Sequence, residues 1–257
     1  MLLGAVTYNV LKDWDVETIV RNLQAADFEA VELRTGHKHL VEPSINAAER
    51  ERVKNLFERS KVRLLSFGTT CEFQSTDAAE RRRQIQIAKT FIDLAHDTGA
   101  WGVKVRPNGL PKEGSPMDKT IDATVGRIAD ALRELGDSGA GKGVQIWLEV
   151  HGAETQNPAF AAAVMRATRH DAVGLCWNSN PTDLVNGSVR KSWELLRPWV
   201  KNAHINELSN DYPWRELFTL MDKSGYEGYT LCEAAESKEP ERFLRYYKSL
   251  WKELTRA

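Results

Sequence analysis

The sequence predicts an α/β fold, a (β/α)8 TIM barrel in which parallel strands are surrounded by helices. The chain has 257 residues, close to the ~250 residues typical of such a barrel. Short apolar or β-branched segments alternate with longer segments of helical period, and successive strands begin roughly 30 to 40 residues apart. No Pro/Ser-rich linker or change of composition divides the chain. We therefore predict a single TIM-barrel domain over residues 1–257.

The eight predicted strands follow one another along the whole chain, and each combines β-branched or apolar residues with polar ones. In order they are LLGAVTYNV from Leu2, AVELRT from Ala30, RLLSFGTT from Arg63, WGVKVRP from Trp101, VQIWLEVHG from Val144, VGLCWNSN from Val173, VKNAHINEL from Val200 and YTLCEAAE from Tyr229.

Helices are predicted between these strands. Asp15 precedes VETIVRNLQAA, in which Ile19 and Leu23 share one face, so Asp15 is expected to cap the helix. Similar periodicity occurs in AERERVKNLFERSK, ERRRQIQIAKTFIDLAHDTGA, TIDATVGRIADALRELGDSGAGK and ERFLRYYKSLWKEL. Gly99 and Gly136 are expected where helices end in a left-handed turn. The longest irregular stretch, residues 107–118, follows the fourth strand and is either a lid or substrate loop, or a solvated connection without a role.

Composition narrows the classes of partner. The formal net charge of -1 provides no long-range attraction for nucleic acid or an anionic bilayer, so neither is expected as a partner. The apolar run at the N-terminus is too short for a signal peptide or a membrane span. Cys71, Cys176 and Cys232 are widely spaced and odd in number, so we expect no disulfide framework and a cytoplasmic location. A homo-oligomer stays open.

Strand alternation directs polar side chains toward the barrel axis. In AVELRT and WGVKVRP, the apolar residues suit the helix side, and the polar residues between them then face inward. The same alternation applies to the second half of the chain. The inward-facing polar residues predicted near the carboxyl ends of the strands are Glu32, Arg34, Lys104, Arg106, Glu149, His151, Asn178, Asn202, His204, Asn206 and Glu233. Since burying unpaired charges is costly, this convergence indicates a binding site for a small molecule.

Two carboxylates and an imidazole from separate strands suit a hard divalent cation, with Mn²⁺, Mg²⁺ or Zn²⁺ all compatible with oxygen and nitrogen ligands. Glu149 and Glu233 also suit paired acid/base catalysis. Arg34, Lys104 and Arg106 would provide positive charge for a carboxylate, phosphate or enediolate. The residues expected to bind the substrate are Glu32, Arg34, Lys104, Arg106, His151 and Asn206.

The order LEVHG, GLCWNSN, NAHINEL and TLCEAAE resembles the xylose isomerase-like family of sugar (phosphate) isomerases and epimerases. The resemblance extends over essentially the whole chain. It implies a divalent metal at the barrel mouth, with ligand positions that fall on Glu149, Asn178, His204 and Glu233. It also implies that the two glutamates act as acid and base. The expected substrate is a small sugar-like molecule.

The resemblance is incomplete at three positions. Asn178 stands where the family has Asp, Pro181 where it often has His, and Asn206 where the usual H-x-K-D has Lys. An uncharged amide oxygen is a weaker ligand than a carboxylate, so the sequence predicts weaker metal binding, or a metal-free site in which Arg34, Lys104 and Arg106 stabilise the oxyanion.

The first hypothesis is accordingly a sugar or sugar-phosphate isomerase or epimerase with a carboxylate acid/base pair and a divalent metal. Two alternatives stay open. One is a lyase or dehydratase acting on a keto-sugar or polyhydroxy acid, which also begins by removing a proton next to a carbonyl. The other is a metal-free barrel that binds a sugar-like ligand without catalysis.

Overall fold

The structure is a computed structural model that describes residues 1–256. Eight parallel strands form a closed barrel in the order β1 to β8, and each neighbour in sequence is a neighbour in space. The predicted fold class is therefore confirmed. The strands are β1 Leu2–Val6, β2 Ala30–Arg34, β3 Arg63–Gly68, β4 Gly102–Val105, β5 Gln145–Glu149, β6 Val173–Asn178, β7 Val200–Ile205 and β8 Tyr229–Cys232.

Eight α-helices alternate with the strands, and a short 3₁₀ helix, Pro181–Asp183, follows β6. The Asp15 carboxylate accepts a hydrogen bond from the Thr18 N–H at 2.8 Å, as expected for an N-cap. The α-helices are α1 Val16–Ala25, α2 Ala47–Glu58, α3 Ala78–Thr98, α4 Ile121–Ala140, α5 Pro158–Thr168, α6 Arg190–Leu196, α7 Trp214–Lys223 and α8 Pro240–Thr255.

One of the two predicted glycine helix ends is correct. Gly99 ends α3 in the left-handed conformation, with φ of 77°. The prediction for Gly136 was wrong, because α4 continues to Ala140. A Cβ atom at Gly136 would lie 2.7 Å from Nδ1 of His170, so this glycine permits a close approach of α4 to the His170 ring.

The apolar core has two layers that follow the predicted alternation. Val31, Leu33, Val103 and Val105 belong to the large cluster between strands and helices. A smaller cluster fills the barrel interior and consists of Val6, Ala30, Leu65, Trp147, Cys176, Tyr229 and Leu231, with Leu2 packed against it. Because the interior is packed with side chains, polar groups accumulate where the strands end.

All three cysteines are free and buried. Within residues 1–256, no helix combines the length and apolar character needed to cross a membrane. The loop of residues 107–118 contains no regular secondary structure, and of its described residues none lines the cavity at the strand ends. A lid role for this loop stays a prediction.

Candidate functional site

A cavity of about 230 Å³ lies at the carboxyl ends of the strands. Its lining residues are Val6, Tyr8, Glu32, Arg34, Lys104, Arg106, Glu149, His151, Asn178 and Glu233. Eight of the eleven predicted inward-facing residues thus line this cavity, because parallel strands of a barrel end on the same side. Larger cavities of about 430 Å³ and 650 Å³ lie at the amino ends of β3 and β8 and between α1 and α2. Neither contains a comparable convergence of strand-end side chains.

Lys104 and Glu149 form a buried ion pair inside this cavity. The Lys104 ammonium lies 2.5 Å from Oε2 of Glu149, and the two side chains are only 6% and 3% exposed. Burial alone would raise the pKa of Glu149, but Lys104 and His204 hold it well below its usual value. Burial alone would lower the pKa of Lys104, but the carboxylates of Glu149 and Glu32 raise it. Glu149 is therefore ionised at neutral pH.

His204 lies between carboxylates on its two sides. Its Nε2 atom is 3.3 Å from Oε1 of Glu32, and its Nδ1 atom is 3.3 Å from Oε2 of Glu233 and 3.6 Å from Oε1 of Glu149. Burial lowers the pKa of His204, but Cys176, Glu233 and Glu32 together raise it well above its usual value. Without another cation, the ring is thus expected to be protonated.

Glu32 lies beneath this cluster rather than at its open side. Its side chain is fully buried, and Oε2 accepts a hydrogen bond from the Ser66 hydroxyl at 2.8 Å. A Cβ atom at Gly68 would lie 2.5 Å from Oε1 of Glu32, so glycine is needed beside this carboxylate. Burial alone would raise the pKa of Glu32, but His204, Lys104 and Ser66 together lower it below its usual value. Glu32, predicted from the sequence as a substrate contact, lines the cavity and lies 3.3 Å from Nε2 of His204, and its role as a substrate contact stays a prediction.

Glu149, His204 and Glu233 could together hold a metal ion. One ligand atom from each lies within 4.8 Å of the others. Both ring nitrogens of His204 are buried and make no hydrogen bond of acceptable geometry among the described residues. An unpaired, buried imidazole nitrogen facing two carboxylates is what a site for a small divalent cation requires. These three residues fit a metal.

Asn178 is placed differently from the expected metal ligand. Its Nδ2 atom donates a hydrogen bond to Oε1 of Glu149 at 3.1 Å. The amide group is therefore oriented as a donor to the Glu149 carboxylate, and its role as a ligand stays a prediction.

Two arginines also line the cavity. The Arg34 guanidinium lies 5.4 Å from the centre of the Tyr8 ring and donates to the backbone oxygen of Thr35 at 2.8 Å. Arg106 reaches Oε1 of Glu72 at 3.3 Å, and its buried Nε atom has no hydrogen-bond partner among the described residues.

Of the two remaining predicted substrate contacts, one lines the cavity and the other does not. His151 lines the cavity, and its Nδ1 atom lies 3.1 Å from the backbone oxygen of Pro107. Asn206 does not line the cavity, because β7 ends at Ile205 and strand alternation no longer applies. Its Nδ2 atom instead donates to the backbone oxygen of Ser179 at 3.2 Å.

Sequence reasoning missed Tyr8, which is 41% exposed and lines the cavity. Tyr8 shares the inward parity of Val6, so extending the alternation beyond β1 could have found it. Ser66 was also missed. A register shift opposite Val31 and Glu32 brings Ser66 next to Glu32, and the sequence carries no evident signal for such an irregularity.

The comparisons with solved structures show the same fold. D-psicose 3-epimerase from Clostridium cellulolyticum H10, solved with D-tagatose, has a TM-score of 0.84 at 12% identity, with both chains covered completely. The 3-keto-D-glucoside 4-epimerase YcjR from E. coli has a TM-score of 0.81 at 15% identity, over 98% of this chain and 99% of that one. The IOLI protein, solved with a bound zinc atom, has a TM-score of 0.80 at 15% identity, over 99% and 96% of the two chains.

A search of curated protein sequences gave no significant match. The family model described as xylose isomerase-like TIM barrel matches residues 20–250, which is most of the chain. The resemblance inferred from the strand motifs is thereby confirmed, and the chain belongs to the xylose isomerase-like TIM-barrel family.

Proposed function

We propose that the protein is a sugar isomerase or epimerase that moves a proton at the carbon next to a carbonyl. The observation that carries the proposal is the position of Glu149 and Glu233, which face Nδ1 of His204 from separate strands at 3.6 and 3.3 Å. Two carboxylates around one small cavity can remove a proton from one face of a substrate and return it to another. The epimerase activities named for two of the similar structures agree with this chemistry.

Each residue of the cluster has a distinct part in the proposed reaction. Glu149 and Glu233 exchange the roles of base and acid between the two directions. Lys104 keeps Glu149 ionised and oriented through the 2.5 Å ion pair. Glu32 lies 3.3 Å from Nε2 of His204 and orients the ring, so that Nδ1 faces Glu149 and Glu233.

A divalent cation held by Glu149, His204 and Glu233 would polarise the carbonyl and its neighbouring hydroxyl. The zinc-bound IOLI structure shares the fold and agrees with this assignment. Mn²⁺, Mg²⁺ and Zn²⁺ are all compatible with the ligand atoms. Asn178 would then hold Glu149 in place through its 3.1 Å hydrogen bond.

A metal-free form of the same function has support from one observation. Lys104 already neutralises Glu149 inside the cavity, where both side chains are almost fully buried. In this form Lys104, Arg34 and Arg106 would stabilise the developing oxyanion. The proposed reaction is the same, but in this form the activity would persist after the metal is removed.

Solvent deuterium exchange tests the proposal. The full-length protein, loaded with Mn²⁺ or stripped with chelator, is incubated in D₂O with D-fructose, D-psicose or D-tagatose, and with phosphorylated and acidic ketoses. We expect deuterium next to the carbonyl by NMR, and Glu149→Gln and Glu233→Gln each to slow its appearance by roughly 10²–10⁴-fold. Dehydrated products in the same spectra would indicate a lyase instead.

Glu236→Gln is the matched control, because Glu236 is an exposed carboxylate three residues after Glu233. It should leave exchange unchanged. Exchange that persists in both active-site variants, or no exchange with any ketose, contradicts the proposed function. Exchange only with metal selects the metal-dependent form.

A further inference from the structure

We infer that the substrate carries an anionic group, a carboxylate or a phosphate, which Arg34 and Arg106 bind. The inference rests on the proposed function, because it names the substrate class of the same cavity. Two guanidinium groups with unused donors, the charge balance of the cavity and its volume support it.

Arg34 has donors that the protein does not use. A guanidinium carries five N–H groups, and the side chain of Arg34 gives one hydrogen bond, to the Thr35 backbone oxygen. Among residues 1–256, no carboxylate lies within 4.0 Å of it. The Tyr8 ring, 5.4 Å away, holds the group in place from one side.

Arg106 is also incompletely engaged. Its contact with Glu72 is a single hydrogen bond of 3.3 Å, longer than a well-formed charge-assisted bond. Its Nε atom is buried without a partner in the described part of the chain. Buried N–H groups are nearly always satisfied, so a ligand oxygen is the expected partner. Arginine binds carboxylate and phosphate through paired N–H groups of this kind.

The charges around the cavity point the same way. Lys104, Arg34 and Arg106 carry three positive charges, against the four carboxylates of Glu32, Glu149, Glu233 and the Arg106 partner Glu72, which leaves one negative charge. A divalent cation at Glu149, His204 and Glu233 would add two positive charges. Since uncompensated buried charge is costly, an anionic substrate would restore the balance.

The volume limits the size of this substrate. The cavity of about 230 Å³ is smaller than the ~300–1,000 Å³ of sites for drug-sized ligands. It therefore suits a small sugar derivative whose anionic group lies at one end.

Isothermal titration of the full-length, Mn²⁺-loaded protein tests this inference with three probes. They are D-fructose, D-fructose 6-phosphate and 2-keto-D-gluconate, which are neutral, phosphorylated and carboxylated, respectively. We expect at least one anionic probe to bind at least tenfold more tightly than D-fructose. Arg34→Gln and Arg106→Gln should each weaken that binding roughly 10- to 100-fold and weaken binding of D-fructose much less.

Two further variants sharpen the result. Lys38→Gln removes a positive charge from the exposed loop after β2, outside the cavity lining, and should change nothing. Glu72→Gln removes the acid that competes for Arg106 and should strengthen binding of the preferred anionic probe. The preferred probe identifies the group as phosphate or carboxylate.

Several outcomes overturn the inference. These outcomes are D-fructose binding as tightly as both anions, the arginine variants weakening all probes alike, or neither anion binding with a Kd below about 1 mM, the upper end of ordinary KM values. Binding of an anion without deuterium exchange would contradict the proposed function and leave this inference standing. Exchange into D-fructose without preference for an anion would contradict this inference alone.

Discussion

His204 presents its two ring nitrogens to carboxylates on opposite sides. Nε2 is 3.3 Å from Glu32, whereas Nδ1 faces Glu149 and Glu233. A carboxylate behind a histidine fixes its tautomer and raises its basicity as a ligand. Glu32, in turn, is fixed by Ser66. The orientation of His204 is therefore determined by residues from β2 and β3.

Glu32→Gln tests this arrangement. The substitution keeps the volume but removes the charge behind Nε2, so affinity for Mn²⁺ should fall about 10- to 100-fold. Competition with a fluorescent chelator measures the affinity for Mn²⁺. Glu42→Gln is the control, because Glu42 holds the loop after β2 through Thr35 and Gly36. Equal affinity of Glu32→Gln and the unmodified protein would rule out the proposed role of Glu32.

Lys104→Met tests the buried ion pair. Removing one partner leaves the Glu149 carboxylate buried without its ammonium, which should lower the free energy of unfolding by about 3–5 kcal/mol in metal-free protein. Urea denaturation measures the change. Lys89→Met breaks the ion pair between Lys89 and Glu134, two side chains that are each about a third exposed. It should lower the free energy of unfolding by only about 0–1 kcal/mol. Similar losses in the two variants would contradict the prediction.

At the scale of elements, the 3₁₀ helix after β6 holds an unusual acid. Asp183 is 1% exposed, accepts from the Tyr212 hydroxyl at 2.8 Å and from the Asn180 N–H at 2.9 Å. Burial raises its pKa to about 7, although both hydrogen bonds act in the opposite direction. The folded protein thus binds this proton more tightly than the unfolded chain does.

Stability should consequently fall as pH rises from about 4 to about 7, since only the unfolded chain ionises Asp183 freely over that range. Asp183→Asn removes this contribution. The free energy of unfolding of Asp183→Asn minus that of the unmodified protein should therefore be about 2–4 kcal/mol larger at pH 8 than at pH 4. Denaturation at several pH values measures the difference. Tyr212→Phe retains the carboxyl and should retain the pH dependence, whereas a constant difference for Asp183→Asn would contradict the assignment.

The elements also show where sequence reasoning succeeds and where it stops. Alternation correctly placed Lys104 and Glu149 inside, because the strand backbone enforces it. It could not show that the two side chains pair with each other, since pairing depends on register and rotamer. Alternation failed for Asn206, where β7 has already ended. The prediction for Gly136 failed because the sequence alone does not distinguish a glycine that leaves room for a neighbouring side chain from a glycine that ends a helix.

At the scale of the whole molecule, the three residues that fit a metal come from or directly follow β5, β7 and β8. The fold could be predicted from eight regularly spaced strands and the family motifs. The site could be predicted only as a set of residues, because the distances between them depend on closure of the barrel. A cation bound by all three residues therefore binds the folded chain alone.

Metal binding should accordingly stabilise the entire fold. At a concentration of Mn²⁺ 100-fold above Kd, the stabilisation is about 2.7 kcal/mol. Each kcal/mol raises Tm by about 2–4 °C in a chain of this size. Thermal unfolding with Mn²⁺ and with chelator measures the shift, which Glu233→Gln should largely remove. Identical shifts in the two proteins, or none in either, would contradict the metal assignment.

The seam of the barrel joins β1 to β8, with Leu2 paired to Tyr229 and Ala5 to Cys232. Glu233 follows β8 directly, whereas Glu32 belongs to β2. During synthesis on the ribosome, Glu233, the second carboxylate of the proposed acid/base pair, is thus among the last cavity-lining residues to emerge. The proposed site can assemble only after the eighth strand has reached the first, so we expect partially translated chains to lack the proposed activity.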